Sequence, residues 1–439
     1  MNNYPKLIKK RLDKCIRTLA NTKDDYVNRP GRDFSRKRIL TFEKLINFLI
    51  IMGAGSQTKE ILEFFKFDLK TPTASSLIQQ RDKLKPEALL HLLQKFTATF
   101  KKIKTFKGYR LLAVDGSKVT IPTNPNDYET YVTSNKDSNG YNLLQVNALY
   151  DICNKLYLDA SIQTYRKMDE FKGLIQMIIK SPLKKKVILT ADRGYESYNN
   201  IAHLENKGWN YVIRVKAPNS GKGILSKTNL PFDEEFDERV SVIMTRRQTL
   251  EIKAQPLLYR FLAKVSTFDF LPIGSKETYP ISYRVVCVEI AKGNYQYLIT
   301  NLNDEDCSPE ELKEIYRMRW GIETSFRELK HSVAMLHFHS KKVEHIQQEI
   351  FAKMVLYNFC EMITLNVVIK QDNNRKHTYQ VNFTNAITIC KRFYICCKDK
   401  HPPDVEALIS KYISPVREAR NFLRKIKTQP NKSFLYRVA

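Results

Sequence analysis

The chain has 439 residues, 43% of them hydrophobic, so it can hold two or three domains with real cores and is far from a disordered composition. Its 73 Lys and Arg outnumber 46 Asp and Glu, and the net charge of +27 favours a polyanionic partner, either nucleic acid or an anionic membrane surface. Lengths exclude the membrane: the apolar run LINFLIIMGAG (45–55) is too short to span a bilayer, and 352–369 is interrupted by Lys353, Asn358, Glu361 and Asn366. The opening MNNYPKLIKKRLDKC reads as an amphipathic helix rather than a signal segment. Eight cysteines show no pair at zinc spacing, and adjacent Cys396 and Cys397 look incidental, which fits a reducing cytosol.

Residues 1–105 read as helical. Leu7, Ile8, Leu12, Cys15, Ile16 and Leu19 recur at helical spacing, and the basic stretch RPGRDFSRKR (29–38) follows. An apolar helix is expected over 42–52, then further helices capped by Ser56 and by Thr73 or Ser75. Short helices with exposed basic residues suit a DNA-binding module, of helix-turn-helix type for example, or a helical scaffold with a solvated basic face. From residue 106 the pattern changes. YRLLAVDGSKVTI (109–121) is an apolar run that ends in Asp115-Gly116, and 141–163 reads as two strands turning at Asn154. A helix over 169–181, a buried strand over 185–195 ending at Asp192, a helix closed by Gly208 and a strand over 209–217 complete a mixed α/β pattern. Residues 218–303 read as a β-rich insertion, with RVSVIMTRR, TLEIKAQP, YRFLAKVSTF, YRVVCVEI and NYQYLITNL as strands and no helix among them. Helices resume over 304–370 and lead into a basic helical region, 371–439.

The segment YRMRWGIETSFRELK (316–330) is expected to form one helix, which only Gly321 resists. At about 100° per residue from Tyr316, Arg319 lies near 300°, Glu323 near 340° and Lys330 near 320°. These four side chains share an arc of about 60°, where a helix would normally place its apolar stripe. Asp115 and Asp192 both end apolar runs, and the carboxyl ends of strands are where ligands bind in α/β sheets. Each acid also has an ordinary reading: Asp-Gly as a tight turn, an Asp after a strand as a helix cap, and Glu323 as an i,i+4 partner of Arg327. Together the three would form a hard-oxygen site for Mg²⁺, and two ions about 4 Å apart can drive phosphodiester chemistry. Tyr316, Arg319 and Lys330 would then face DNA phosphates, while Phe326 and Leu329 seat the helix.

Tyr316, Arg319, Glu323 and Lys330 match the Y-x2-R-x3-E-x6-K signature of DDE transposases of the insertion-sequence-4 family, which this sequence resembles. VDGSKV and TADRGY resemble the contexts of that family's two aspartates, and 131 residues separate Asp192 from Glu323 (323 − 192), a gap that houses a β-rich insertion in the family. The resemblance implies an RNase H-like mixed sheet, with Asp115 on its first strand, Asp192 at the end of the fourth, and helical regions on either side. It implies a transposase that cuts the ends of an insertion sequence and joins the freed 3′ hydroxyls to target DNA, with Asp115, Asp192 and Glu323 as catalytic and metal-binding residues. Two Mg²⁺ ions are implied, with Mn²⁺ as a substitute. So are double-stranded DNA as partner, a homodimer in the DNA complex, and a bacterial cytoplasm with association to the nucleoid. Some relatives clamp a flipped base on an aromatic of the insertion. The only tryptophans here are Trp209, ahead of the insertion, and Trp320, read as a packing anchor, so any clamp would use a Tyr or Phe, such as Tyr259, Phe261, Tyr295 or Tyr297, or be absent.

Arg36, Lys37 and Arg38, and the basic stretch 417–427, are expected to neutralise DNA phosphates without choosing sequence. His337, His339 and His345 are read as phosphate contacts or exposed side chains rather than a metal cluster. The rival to the enzyme is a catalytically silent DNA-binding protein descended from a transposase, and a third reading is a nuclease that never joins. An intact acidic set favours the enzyme.

Overall fold

The computed structural model describes residues 3–36, 38–133, 140–371, 377–397, 399 and 401–416. Five helices come first: α1 (Asn3–Asn21), α2 (Phe42–Ile51), α3 (Gln57–Phe64), α4 (Ala74–Arg81) and α5 (Glu87–Thr97). Apolar spacing sets their inner faces: Ile8, Leu12, Ile16 and Leu19 of α1 are all buried. Thr41, Ser56 and Thr73 cap α2, α3 and α4 by accepting from the third helical N–H.

The sheet follows. Strand β1 (Arg110–Ile121) pairs antiparallel with β3 (Tyr141–Asp151), which carries both β4 (Leu156–Thr164) and the short β2 (Tyr131–Val132) on its other edge. After α6 (Glu170–Lys180), β5 (Val187–Ala191) joins β1 in parallel, and after α7 (Tyr198–Lys207), β6 (Asn210–Val215) joins β5 in parallel. The order β4-β3-β1-β5-β6, with three antiparallel strands and then two parallel ones, is the RNase H-like arrangement the resemblance implied.

The β-rich segment does not form a sheet of its own. Strands β7 (Phe236–Thr245), β8 (Tyr259–Phe261), β9 (Thr278–Ala291) and β10 (Asn294–Thr300) extend the same sheet in the order β6-β10-β9-β7-β8. One expected strand is a helix: TLEIKAQP forms α8 (Leu250–Ala254), because Thr249 caps it by accepting from the Ile252 N–H and Pro256 ends it.

The chain then returns as α9 (Pro309–Met318), α10 (Trp320–His331) and α11 (Val343–Thr364). Helix α11 is buried on every side, packed by α1, α2, α5, α12 (Phe383–Cys396) and β4. A two-stranded ribbon of β11 (Tyr379–Val381) and β12 (Ile413–Pro415), with α13 (Val405–Lys411), completes the described fold. One apolar cluster unites the N-terminal helices, α9–α12 and one sheet face; a second lies between the other face, α6, α7 and the inserted strands. No described helix is long and apolar enough to cross a membrane.

Candidate active site

Strand β1 stays paired with β5 only from Arg110↔Val187 to Ala113↔Thr190. Asp115 and Asp192 each lie two residues past that last pair, so they stand at matching positions where the parallel strands part. This differs from the expected turn at Asp115-Gly116. Strand β1 runs on to Ile121, because β3 continues to pair with it through Asp115↔Ala148 and Gly116↔Asn147, and Gly116 has no positive φ. Asp115 Oδ1 accepts from the Gly116 N–H at 2.8 Å. Asp192 does open a turn: its Oδ1 accepts from the Arg193 N–H at 2.7 Å and caps the short 3₁₀ helix 193–195.

The expected single helix over 316–330 is two helices. Arg319 interrupts them, with i→i+3 bonds from its own N–H to Tyr316 and from the Ile322 N–H to its carbonyl, at 3.1 and 3.0 Å. Ser308 and Glu311 form a full capping box at the start of α9, with Pro309 at its first position. On α10, Ile322, Ser325, Phe326 and Leu329 are buried, and the Ser325 hydroxyl meets Tyr157 Oη at 2.8 Å. Phe326 and Leu329 therefore seat the helix as expected. Trp320 does not: it is 58% exposed, because it lies on the opposite side of the helix from the buried row.

Arg319 is the hub of the site. Its guanidinium donates to Glu323 Oε1 at 2.7 Å, lies 3.9 Å from Asp115 Oδ2, and stands 5.4 Å from the centre of the Tyr316 ring. Glu323 pairs with this arginine rather than with Arg327. The Tyr316 hydroxyl donates to Asp192 Oδ1 at 3.4 Å, and Lys330 Nζ donates to the Lys118 carbonyl at 3.1 Å. Tyr316 and Arg319 are buried, with the arginine turned onto the carboxylates. Burial pushes the Asp115 carboxyl up to about 6; the Gly116 N–H and Arg319 oppose this, while Glu323 and Asp192 add to it. Burial also lowers the Lys330 ammonium, against the pull of Asp115.

Among the described residues, no three His, Cys, Asp or Glu side chains stand close enough to enclose a metal ion. The donor set nevertheless fits a hard divalent cation: Glu323 and Asp192 add to the proton affinity of the buried Asp115, and a guanidinium stands between Asp115 and Glu323 as internal counter-charge. The Tyr195 hydroxyl is a further polar atom here, buried and without a hydrogen-bond partner among the described residues. It was missed from sequence, although it closes the TADRGY segment.

Other expected residues fall elsewhere. Arg36 and Arg38 are exposed on the loop between α1 and α2, which Asp33 pins by accepting from the Arg29 N–H and guanidinium. Lys37 and the stretch 417–427 lie outside the described residues. His339 and His345 are buried structural groups: His339 meets Glu349 at 3.1 Å, and His345 meets Asp82 at 3.0 Å. The carboxylates that hold them come from α11 and from the end of α4, which sequence spacing does not reveal. Of the aromatics considered for a base clamp, Tyr297 is buried and Phe261 is 43% exposed.

A family model described as "Transposase DDE domain" matches residues 106–359, more than half of the chain. The chain belongs to the DDE transposase family. It is 27% identical over 153 residues to the transposase InsG for insertion sequence element IS4 of Escherichia coli K12, an alignment that takes in 32% of this chain and 34% of the relative. The matched region thus spans about a third of that relative's length. A cryo-EM structure of the piggyBac transposase synaptic complex with hairpin DNA gives a TM-score of 0.45 at 10% identity, covering 93% of this chain and 84% of the other. In this DDE transposase, the matched segment runs from just before β1 into α11 and includes Asp115, Asp192 and Glu323.

Proposed function

We propose that this transposase cleaves the ends of an insertion sequence and joins the 3′ hydroxyls to target DNA, with Asp115, Asp192 and Glu323 as its catalytic carboxylates. The observation that supports this best is positional. Two aspartates stand level where β1 and β5 part, and Arg319 ties Glu323 to the first of them. The three carboxylates would hold two Mg²⁺ ions, or Mn²⁺ in their place. When bound, such ions supply Lewis-acid polarisation and charge neutralisation for in-line phosphoryl transfer. The chain's own residues prepare the site. Tyr316 fixes the orientation of Asp192 through its hydroxyl, and Arg319 keeps Asp115 and Glu323 together despite their like charge. Lys330, tethered to the Lys118 carbonyl, places a cation beside Asp115 where a phosphate would lie. The helices of 1–105, with Arg36, Lys37 and Arg38, would hold double-stranded DNA by its backbone, and a homodimer would hold both ends. The bacterial nucleoid is the matching location for such a protein.

A supercoiled plasmid carrying the element ends, incubated with the chain and Mg²⁺, should be nicked and joined. Glu323→Ala should abolish both products while leaving binding to end DNA intact. Binding without any product from the natural chain, across salt conditions, would replace the enzyme with a DNA-binding protein. Cleavage without joined product would reduce it to a nuclease.

A further inference from the structure

A second polar cluster lies on the sheet face beneath α6, beside Asp115. Helix α6 begins at Glu170, and Asp169 caps it by accepting from the Lys172 N–H at 2.9 Å. The Glu170 carboxylate is held in place: its Oε1 accepts from Gln145 Nε2 at 2.8 Å. The same amide nitrogen reaches Asn147 Oδ1 at 3.2 Å, and Asn147 donates to Gln163 at 3.3 Å. Gln145 is 1% exposed, yet its Oε1 has no hydrogen-bond partner among the described residues, an expensive state for a buried amide.

Gly116 lets this carboxylate close against the backbone beside Asp115, and the same carboxylate comes within ordinary contact distance of the backbone beyond Asp192. Gly116 directly follows Asp115, and a Cβ there would stand 2.7 Å from Glu170 Oε1 and 2.2 Å from Gln145 Nε2. Gly194 lies two residues after Asp192, and a Cβ there would stand 3.9 Å from Glu170 Oε2. Glu170 thus reaches the crevice where β1 and β5 part. The Tyr195 hydroxyl, three residues after Asp192, is buried without a hydrogen-bond partner among the described residues, and the charges of Glu170, Asp115 and Asp192 act on it. An acid in the first turn of a helix ordinarily serves the helix dipole from solvent. That role explains neither the half-buried carboxylate, nor the buried amide aimed at it, nor the missing side chain at Gly116.

We propose that Glu170 is a fourth carboxylate of the divalent-cation site, with Gln145 as the positioning residue that orients it. Magnesium retains much of its water when bound to proteins, so the Gln145 oxygen and the Tyr195 hydroxyl become partners for that water. The inference rests on the reading of Asp115, Asp192 and Glu323 as cation ligands.

Mn²⁺ binding to the full chain without DNA, followed by the electron paramagnetic resonance of free Mn²⁺, tests it without any reaction. Glu170→Gln keeps the oxygen to which Gln145 donates, so the fold should persist, as thermal melting in chelator would verify. Its Mn²⁺ affinity should fall at least tenfold, with Gln145→Ala falling about threefold and Asp115→Asn losing binding. Unchanged affinity and stoichiometry in Glu170→Gln, beside a loss in Asp115→Asn, would overturn the fourth carboxylate and leave the other three standing. No bound Mn²⁺ in the natural chain, or no change in any variant, would overturn both.

Discussion

Asp115 is kept in the fold against its own preference for water. Burial raises its pKa from 3.8 to about 6, so the folded chain holds this proton more tightly than the unfolded one. For an acid shifted upward, stability is present at low pH, is lost as pH rises from the unfolded value through about 6, and stays lost above it. Asp115→Asn should therefore stabilise the chain at pH 7.5 in chelator, on the order of 1–3 kcal/mol, one pKa unit being worth about 1.4 kcal/mol. Melting curves should show the gap closing as pH falls below 4. Arg319 shows the converse. Arg319→Ala leaves Asp115 and Glu323 without the cation between them, so it should melt lower in chelator, and added Mg²⁺ should raise its melting temperature more than that of the natural chain. Equal Mg²⁺ shifts would mean that Arg319 is no stand-in for a cation. The spacing of Tyr316, Arg319, Glu323 and Lys330 was legible in the sequence, because helical periodicity depends only on neighbours along the chain. The inward turn of Arg319 was not, since it depends on Asp115, which lies 204 residues earlier (319 − 115). Glu170 escaped for the same reason: Gln145 and Gly116, on other strands, make it more than a helix-start acid.

At the scale of elements, periodicity and caps located most helices and strands β1 and β3–β6, but not the short β2, and boundaries followed the tertiary partner. Asp115-Gly116 has the chemistry of a turn, but β3 supplies ladder partners on both sides of it, and the strand continues. The inserted β-run looked separate because its sequence shows successive strand-like stretches, yet its strands add to the edge that β6 leaves open. Gly321 is a testable detail of this kind. It lies in the first turn of α10, and a Cβ there would make only ordinary contacts, 3.6 Å from Ile152 Cγ2 and 3.9 Å from Tyr150 Cε1. Gly321→Ala should therefore gain helix propensity without a clash, raising stability by about 0.5–1 kcal/mol in urea titrations. A loss of stability would show that α10 needs closer approach to β3 than these distances indicate.

For the whole molecule, composition foresaw a basic protein with a substantial core, but it left open whether the N-terminal helices form a separate unit. The buried network around Glu349 bears on that question. Its carboxylate lies 2.9 Å from the guanidinium of Arg81 on α4 and 3.1 Å from His339, whose ring also reaches the Gly55 carbonyl at 3.1 Å. Gln348 adds bonds from α11 to the Arg81 and Leu84 carbonyls, and Lys353 donates to the Met52 carbonyl. Burial alone would push the Glu349 carboxyl up, but Arg81 and His339 outweigh it and hold the group at about 2. Its contribution is therefore present above the ordinary glutamate range and is lost only as pH falls toward 2. Glu349→Ala would leave Arg81 buried without its anion, at a cost of about 3–5 kcal/mol. The two tryptophans, Trp209 in the sheet core and Trp320 on α10, report on the segment matched by the transposase family model, whereas circular dichroism at 222 nm reports on all helices. Because α11 lies in one apolar cluster with both α1–α5 and the sheet, the two signals should shift together in the variant. If helix signal were lost well before the tryptophan signal, α1–α5 would be a detachable module, and the network would be a clasp between two units rather than part of one core.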